Sequence, residues 1–449
     1  MRVINGLLFF PRGGSAQVAR SLSLRLPDFG WDVRVLSGSV PGGLGDAERF
    51  YGGLDVVPVD VTGADAPMHP SYEDRPGVPD VCFARVDDDG YVAQVDAWSR
   101  ALLEAGATSA DVLLLHHLTP LNEAAARVAP DVPVVGQLHG TELAMLERIA
   151  AGAPAQWRHA DAWRRRMRRW GRQCSRLIVP TEATRERAVR LLGIDPQVCV
   201  VIASGFDPET FRPAPVDRRA WWHRHLVEAP HGWRPGEAPG SIAYTDAQVD
   251  RLDDAVILLA VGRYTAVKRL SLLIDAFALA RTRTRRRAAL VILGGHPGEW
   301  EGEHPCDAVR RSGAPDVFLA GWHEHAQLAG FLNAADVQVL ASVDEQFGLV
   351  LVEGMACGLP AIAVDRAGPA AIIDPGRTGW LVEPDDEAAL VGAIVEAVDD
   401  GPGRAQRGLE ARRDAEARWG WPGLAGAVAD VLDAASASAR GAEQAPAEA

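Results

Sequence analysis

Short runs of apolar residues recur through the first half of the chain and alternate with segments in which apolar residues return at helical spacing. The runs are VINGLLFF, WDVRVL, DVLLLHH, VPVVGQLHG and RLIVPT. Continuous apolar runs are typical of strands that are covered on both faces. Between the first two runs, Val18, Leu22 and Leu26 have the spacing of one helix face. This alternation predicts a parallel α/β sheet with helices packed on it.

The same alternation restarts after residue 254, with the runs AVILLAVG, ALVILGG, VFLAG, VQVLAS and AIAV. The intervening segment from Ala214 to Asp254 is rich in Pro, Gly and Trp and interrupts the pattern. Single hydrophobic cores stop growing at roughly 250–300 residues. A chain of 449 residues is therefore expected to form two domains. The predicted organisation is an N-terminal domain over 1–213, a linker with an insertion over 214–254, a C-terminal domain over 255–415, a helix over 416–435 that packs back on the N-terminal domain, and a disordered tail over 436–449.

Charge, cysteine content and hydrophobicity argue against several classes of protein. The chain has 46 basic and 60 acidic residues, and its net charge of −14 argues against nucleic-acid binding, which requires a basic face. Its five cysteines are scattered, which fits a reducing cytoplasm and argues against disulfides or structural zinc. His323 and His325 lack nearby cysteines and are interpreted as surface-loop residues rather than metal ligands. No run of about 20 apolar residues occurs, so no membrane span is predicted.

Two loops that follow predicted strands contain groups suited to phosphate. Parallel α/β sheets bind ligands at the carboxyl ends of their strands, beside helix N-termini. Gly13 and Gly14 follow the first strand and allow close approach of a ligand to the backbone, although a plain tight turn explains them equally well. Arg263 and Lys268 share the loop in VGRYTAVKRL, where two cations suit a diphosphate. The alternative for these two residues is a pair of solvated loop charges.

The segment EQFGLVLVEGMACGLP places two carboxylates around a predicted helix start. Gly348 allows close approach of the backbone, and a helix that begins near Leu349 offers unpaired N–H groups to phosphate. Glu353 lies about one turn inside that helix, where its carboxylate could accept from the two hydroxyls of a ribose; Glu345 on the loop could do the same for a sugar. The alternatives are a helix-capping acid for Glu353 and a solvated acid for Glu345.

Histidines end two strands of the first domain. His139, in QLHGTEL, could donate a hydrogen bond near a leaving group or a sugar hydroxyl, although a lone histidine is more often structural. His116 and His117 share this strand-end position and are weaker candidates. The basic segment from Trp157 to Arg172 could lie on an anionic membrane, but an ordinary helix with its apolar stripe in the core is favoured.

Taken together, these segments resemble the retaining glycosyltransferases of the GT-B fold, family four. The E-x7-E segment EQFGLVLVEGMACGLP carries the resemblance, and the other segments follow in the family's order: the GGS loop, HGT, VPTEATRERAVRLLGI with VIASGFDPETFRP, GRYTAVK and GRTGWLVEPDD. The chain departs from the family at AGPAAII, where Ala367 and Ala371 stand in place of the family's usual Gly and Glu.

The resemblance implies two Rossmann-like domains that face a central cleft, with the acceptor bound by the N-terminal domain and a nucleotide-diphosphate sugar by the C-terminal domain. Family members retain the anomeric configuration by front-face attack, with no metal or other cofactor. The implied roles are the diphosphate for Arg263 and Lys268, the ribose for Glu353, the donor sugar for Glu345, His139 and the backbone of Phe347, Gly348 and Leu349, and the phosphate and acceptor for Gly13 and Gly14. A sugar-nucleotide epimerase of the same fold and a non-catalytic sugar-nucleotide-binding subunit are the alternatives.

Overall fold

A computed structural model describes residues 1–63, 69–73 and 80–443 of the chain. These residues form two compact units. The first unit contains the described residues up to Gly205 together with the segment from Trp421 onward. The second unit is continuous from Phe206 to Gly420.

The first unit contains nine of the described strands and the second contains six. The strands are β1 (Arg2–Leu7), β2 (Asp32–Ser39), β3 (Asp55–Asp60), β4 (Pro70–Ser71), β5 (Val81–Cys82), β6 (Val112–His116), β7 (Val134–Gln137), β8 (Arg176–Val179), β9 (Cys199–Val201), β10 (Val256–Gly262), β11 (Ala288–Gly294), β12 (Val317–Gly321), β13 (Val337–Leu340), β14 (Ala361–Val364) and β15 (Gly379–Val382).

The α-helices are α1 (Gly14–Arg25), α2 (Ala47–Phe50), α3 (Asp88–Glu104), α4 (Pro120–Val128), α5 (Thr141–Gly152), α6 (Ala160–Gln173), α7 (Glu182–Ala188), α8 (Arg218–His223), α9 (Asp246–Val249), α10 (Leu270–Arg281), α11 (Pro305–Ser312), α12 (His325–Asn333), α13 (Leu349–Ala356), α14 (Ala367–Ile372), α15 (Glu387–Asp399), α16 (Gly401–Arg418) and α17 (Trp421–Glu443). Most of them connect parallel strands, as the alternating sequence pattern predicted.

Each unit is built on a parallel sheet whose strand order reverses at one point. The first sheet has the order β3-β2-β1-β6-β7-β8-β9, and the second has the order β12-β11-β10-β13-β14-β15. All the paired strands that the structure describes in these sheets run parallel. The loops after β1 and β6 therefore leave the first sheet side by side, and those after β10 and β13 leave the second sheet side by side. Open α/β sheets bind ligands at such reversal points.

The apolar runs form the cores. Leu113 and Leu115 of β6 face one cluster of buried side chains, whereas Leu114 faces the opposite one, so β6 is covered on both faces. The apolar stripe of α6 is buried as expected, since Trp163 and Trp170 are each exposed by no more than 1%. Across the described ranges, every helix falls short of the length and apolar character that a membrane-spanning segment requires.

The last helix differs from its predicted bounds. Helix α17 begins at Trp421 and continues to Glu443, so residues 436–443 are helical rather than disordered, and residues 444–449 of the predicted tail lie outside the described residues. Its apolar side chains, including Val428 and Leu432, are buried with Val3 and Leu22 of the first unit. The end of this helix was not predicted because residues 433–441 are mostly alanine and serine. These small residues give little hydrophobic pattern in the sequence but allow close helix packing.

The segment predicted as a linker is part of the second unit. Its Trp222 and Trp233 are each only 1% exposed. The indole N–H of Trp222 donates to the carbonyl of Ala334 at 3.3 Å, and that of Trp233 donates to the carbonyl of Gly295 at 3.0 Å. The prediction of a linker over 214–254 was therefore wrong. It rested on the high Pro and Gly content of the segment, which does not reveal that these two tryptophans pack into the second unit.

Five of the described strands were not predicted from the sequence: the two-residue strands β4 and β5, and the edge strands β3, β9 and β15. Strand β3 lies at the edge of its sheet and is largely exposed, with Pro58 in its middle, so it lacks a continuous apolar run. Strand β15 lies at the edge of the second sheet, within the segment that the sequence indicated only as a turn. Edge strands carry weaker hydrophobic signals because one side of each is unpaired.

Candidate functional site

The clearest charged pair of the second unit lies where its strand order reverses. A 3-10 turn over Ala266–Lys268 follows β10, and its lysine ammonium lies 2.5 Å from Oε2 of Glu345, on the loop after β13. Both side chains are mostly buried, with 16% and 20% exposure. The N–H of Val343 donates to the carbonyl of Val267 at 3.0 Å and joins the two loops. The structure therefore brings together Lys268 and Glu345, which are 77 residues apart.

A glycine at the end of β10 makes room for this lysine. A Cβ atom placed on Gly262 would lie 3.2 Å from Cε of Lys268, closer than most side-chain contacts. Arg263 is the next residue, is half-buried and belongs to the same loop as Lys268. The predicted pair of cations thus follows the strand that flanks the reversal point.

The loop that carries Glu345 leads directly into a helix start. Gly348 has φ = +102°, in the left-handed region that favours glycine, and α13 begins at the next residue, Leu349. Among the described residues, no side chain caps this helix, and the N–H of Leu351 donates to the carbonyl of Gly348 at 2.8 Å, so the N–H groups of Leu349 and Val350 are the ones available to a ligand. The N–H of Gly368 donates to the carbonyl of Glu345 at 3.0 Å and holds the loop from the other side. This arrangement can bind an anion at the helix N-terminus.

Glu353 is held by a histidine that the sequence placed in a surface loop. Its carboxylate is 3% exposed, and Oε1 lies 2.6 Å from Nε2 of His325, the first residue of α12. The ring of His323 stacks on that of His231, with centroids 4.5 Å apart. His325 therefore belongs to α12 rather than to a surface loop, whereas His323 lies in the loop before that helix, as predicted, and is half-buried. The partners of both histidines come from other parts of the chain, which local sequence does not reveal.

The strand-end histidines of the first unit form one hydrogen-bonded group. Nδ1 of His116 lies 2.8 Å from Nε2 of His139, and Nε2 of His116 lies 2.7 Å from Oδ1 of Asn5. Their loops leave β6 and β7, which are neighbours in the sheet, and Asn5 lies on β1, the other neighbour of β6. His116, which was the weaker candidate from the sequence, therefore lies between His139 and the buried Asn5.

Sequence reasoning missed the acid of this group. Glu142 is fully buried, and its Oε2 lies 3.0 Å from Nδ1 of His117. The backbone N–H of His139 donates to Oε1 of Glu142 at 2.9 Å. His117 has φ = +66°, an uncommon value for a residue other than glycine, and this turn directs its ring toward the carboxylate. The sequence signal that could have identified Glu142 is its position in GTE, which directly follows His139 at the end of a strand.

Burial sets the protonation of the group. It lowers the pKa of His116 to about 3, helped by the charge of His117, and it lowers the pKa of His139 well below the ordinary histidine value. Burial acts to raise the pKa of Glu142, but the charge of His117 and hydrogen bonds to the carboxylate outweigh it and lower that pKa. His116 and His139 are therefore neutral near pH 7, and Glu142 is ionised.

The glycine loop of the first unit has open space around it. Helix α1 begins at Gly14, its N-cap Gly13 makes no side-chain cap, and no atom lies within 4 Å of a Cβ placed on either glycine. Arg12 forms an ion pair with Asp80, whose other oxygen lies 3.0 Å from Nδ1 of His69. Burial acts to raise the pKa of Asp80, but His69 and Arg12 lower it to about 2. Local packing therefore leaves open space beside both glycines, and the prediction that a ligand approaches them stays a prediction.

No group of three or more His, Cys, Asp or Glu side chains in the ranges described has an arrangement that could hold a metal ion. The expectation of a metal-free reaction stays a prediction.

Sequence comparison gives matches over most of both units. The family described as "Glycosyl transferases group 1" matches residues 245–414, and "Glycosyltransferase Family 4" matches residues 12–210. A D-inositol 3-phosphate glycosyltransferase 2 of Catenulispora acidiphila is 34% identical over 265 residues, which are 57% of this chain and 55% of that protein. A D-inositol 3-phosphate glycosyltransferase of Kineococcus radiotolerans is 34% identical over 271 residues, 57% and 56% of the two chains. The chain spans about half the length of these curated relatives.

Solved structures give likenesses over nearly the whole chain. Sucrose-phosphate synthase from Thermosynechococcus elongatus is 19% identical, with a TM-score of 0.68 over 97% of this chain and 99% of that one. Alr3699/HepE from Anabaena, in complex with UDP-glucose, is 16% identical, with a TM-score of 0.67 over 97% and 100% of the two chains. At these identities the likeness concerns the fold.

Proposed function

The chain belongs to the glycosyl transferases of group 1 and family 4 and has the predicted GT-B fold, and from this premise we propose that it transfers a sugar from a nucleotide-diphosphate sugar to an acceptor hydroxyl. The new C1–O bond forms on the face from which the diphosphate leaves, so the anomeric configuration is retained. The departing phosphate oxygen takes the proton of the acceptor hydroxyl.

The observation that carries the proposal is the contact between Lys268 and Glu345 beside the start of α13. A diphosphate needs positive groups that are held in place before it arrives, and the 2.5 Å ion pair holds the lysine there. Lys268 and Arg263 then offset the phosphate charge, and the N–H groups that follow Gly348 donate to phosphate oxygens. Glu345, released in part from the lysine, accepts from sugar hydroxyls, with the backbone of Phe347 beside it.

The buried Glu353 suits the ribose. His325 engages its Oε1, which leaves Oε2 to accept from a hydroxyl. Because the carboxylate is only 3% exposed, water competes poorly for that oxygen and a ribose hydroxyl gains most from it. His325 therefore orients the acid rather than binding the donor.

The proposal also assigns roles to residues of the first unit. His139 contacts the transferred sugar, and the open loop at Gly13 and Gly14 receives the phosphate side of the reaction and the acceptor. The hydrogen bond to His116 holds the ring of His139, and a fixed group contributes more to a transition state than a mobile one.

Names of similar proteins indicate which substrates to test first. Alr3699/HepE was solved with UDP-glucose, so UDP-sugars head the donor panel, followed by GDP- and ADP-sugars. The Catenulispora and Kineococcus relatives are named for D-inositol 3-phosphate, which heads the acceptor panel.

The test is incubation with the donor panel, with and without acceptor, followed by chromatography of nucleotides and NMR of the product. Acceptor-dependent release of nucleoside diphosphate with a retained anomeric coupling supports the proposal. A changed sugar without diphosphate release indicates an epimerase, and binding without any turnover indicates a non-catalytic subunit; either result contradicts it.

A further inference from the structure

The hydrogen bonds from Asn5 to His139 have a direction that the structure determines. Nδ2 of Asn5 donates to the backbone carbonyl of Ala19 at 2.9 Å and to Oγ of Ser23 at 2.8 Å. A carbonyl oxygen can only accept, so the NH2 group of the amide must point that way. Oδ1 of Asn5 is consequently the atom that faces Nε2 of His116, at 2.7 Å.

An amide oxygen also only accepts, so Nε2 of His116 carries a proton. Burial keeps this imidazole neutral near pH 7, since its pKa is lowered to about 3. A neutral imidazole protonated at Nε2 has an unprotonated Nδ1, which accepts. The 2.8 Å contact between that nitrogen and Nε2 of His139 therefore requires His139 to donate.

The same reasoning identifies one ring nitrogen of His139 as a hydrogen-bond acceptor. Its ring is neutral near pH 7, because burial lowers its pKa, and its proton lies on Nε2. Nδ1 is then a lone-pair nitrogen. Within the described part of the chain, no protein group makes a hydrogen bond to this atom, and it is not sealed from solvent. A ligand hydroxyl at this atom would be the donor, which is the opposite of the direction expected from the sequence.

We infer that Asn5 and His116 are positioning residues that hold His139 in its Nε2–H tautomer, so that Nδ1 accepts a hydrogen bond from a hydroxyl of the transferred sugar. The inference rests on the proposed function for the identity of the ligand. The tautomer itself follows from the four contacts together with the neutrality of the two buried rings. The opposite tautomer would place two unprotonated nitrogens face to face between His116 and His139.

Two substitutions of His116 separate positioning from packing. In His116→Gln, the amide oxygen can accept from His139 while the NH2 group donates to Asn5, which repeats the original polarity. In His116→Phe, the ring volume is kept and both hydrogen bonds are lost. Urea unfolding of the two variants checks that each is folded before any rate is compared.

The measurement is the ring nitrogen spectrum of the 15N-labelled full chain near pH 7.5, with His139 assigned by comparison with His139→Gln. We expect His139 to be protonated at Nε2 in the wild type and in His116→Gln, and to lose this preference in His116→Phe. Addition of UDP-glucose should shift Nδ1 in the first two proteins. We expect kcat/KM to fall by roughly twofold to tenfold in His116→Phe, the contribution of one hydrogen bond between neutral groups, and by less in His116→Gln.

A wild-type spectrum with His139 protonated at Nδ1 overturns the inference, and this result does not depend on either His116 variant. Equal tautomer populations and equal rates in the two His116 variants also overturn it. If no donor of the panel is turned over or bound, the proposed function fails while the spectra still decide the tautomer. The two failures are therefore distinguishable.

Discussion

The ammonium nitrogen of Lys268 lies 2.5 Å from Oε2 of Glu345, and the two residues come from loops that follow the neighbouring strands β10 and β13. Both side chains are mostly buried, so removal of one leaves the other charge poorly solvated. The cation is thus neutralised and held in place before any ligand arrives. Substitutions of the two residues should be non-additive, because each affects the same contact.

Replacement of Lys268 by alanine should weaken binding of the donor nucleotide. One charge-assisted hydrogen bond to phosphate is lost, which corresponds to about 1.5–3 kcal/mol. Calorimetric titration with UDP measures the change. Arg310→Ala is the matched control, because that arginine of the same unit is 73% exposed and pairs only with nearby Asp307 among the contacts described for it. Equal affinities of the Lys268→Ala variant and the wild type would show that the phosphate lies elsewhere.

The assignment of Glu353 to the ribose predicts a specific pattern across two nucleotides. The wild type should bind UDP more tightly than 2′-deoxy-UDP, by about 1–3 kcal/mol for a hydrogen bond to a carboxylate. In Glu353→Gln the difference between the nucleotides should largely disappear, while the affinity for 2′-deoxy-UDP changes little. A His325→Gln variant, which keeps the acid, serves as the control for its orientation. If Glu353→Gln lowers both affinities equally, the acid has a structural role.

The repeated strand and helix pattern allowed the two sheets to be predicted, because buried parallel strands carry continuous apolar runs. β10 and β11 were found this way, whereas the edge strands β3 and β15 were missed. The sequence predicted Lys268 at the diphosphate and Glu345 at the sugar of one donor, but not the contact between them, since residue type and strand-end position indicate only which part of the sheet a group is near. They do not say which atoms touch.

The histidine groups show this limit most clearly. His139 was a candidate because it ends a strand, but its contacts with His116 and, through that ring, with Asn5 depend on three strands lying side by side. Glu142 was missed because His117, its partner, is 25 residues away. The tryptophans of the predicted linker were likewise visible in the sequence, while their partners in the second unit were not.

Stability should fall as the pH drops below about 6.5, partly through His116. The pKa of His116 in the folded chain is lowered to about 3, whereas the unfolded chain binds a proton near pH 6.5. This contribution is therefore present above pH 6.5 and is lost as the pH falls toward 3. Between pH 7.5 and pH 5 the loss is about 2 kcal/mol, which His116→Gln should remove from the pH dependence of urea unfolding.

His223→Gln is the matched control for this pH dependence. The pKa of His223 is raised by its hydrogen bond to Asp246, so its contribution is present at low pH and is lost as the pH rises. Its removal should therefore change the slope in the direction opposite to that for His116→Gln. An unchanged slope in His116→Gln would mean that His116 is protonated in the folded chain or that another group compensates fully.

Two glycines of the second unit predict opposite outcomes for the same substitution. A Cβ atom at Gly368 would lie 2.1 Å from the carbonyl oxygen of Phe347, whereas nothing lies within 4 Å of a Cβ at Gly392 in helix α15. Gly392→Ala should stabilise the chain by about 0.5–1 kcal/mol, because alanine loses less backbone freedom on folding. Gly368→Ala should destabilise it, since backbone atoms cannot move aside as a flexible side chain can.

The substitution at Gly368 should also affect ligand binding, because the strain falls on the loop that carries Glu345. The N–H of Gly368 donates to the carbonyl of Glu345, and a displaced loop would misplace both that carboxylate and the start of α13. We expect UDP affinity to drop at least about tenfold in Gly368→Ala and to stay at the wild-type value in Gly392→Ala, since a displacement of about 1 Å is costly at a preorganised site. Titration at a temperature at which both variants are folded separates binding from stability. Wild-type affinity in Gly368→Ala would show that the loop after β13 does not position the donor.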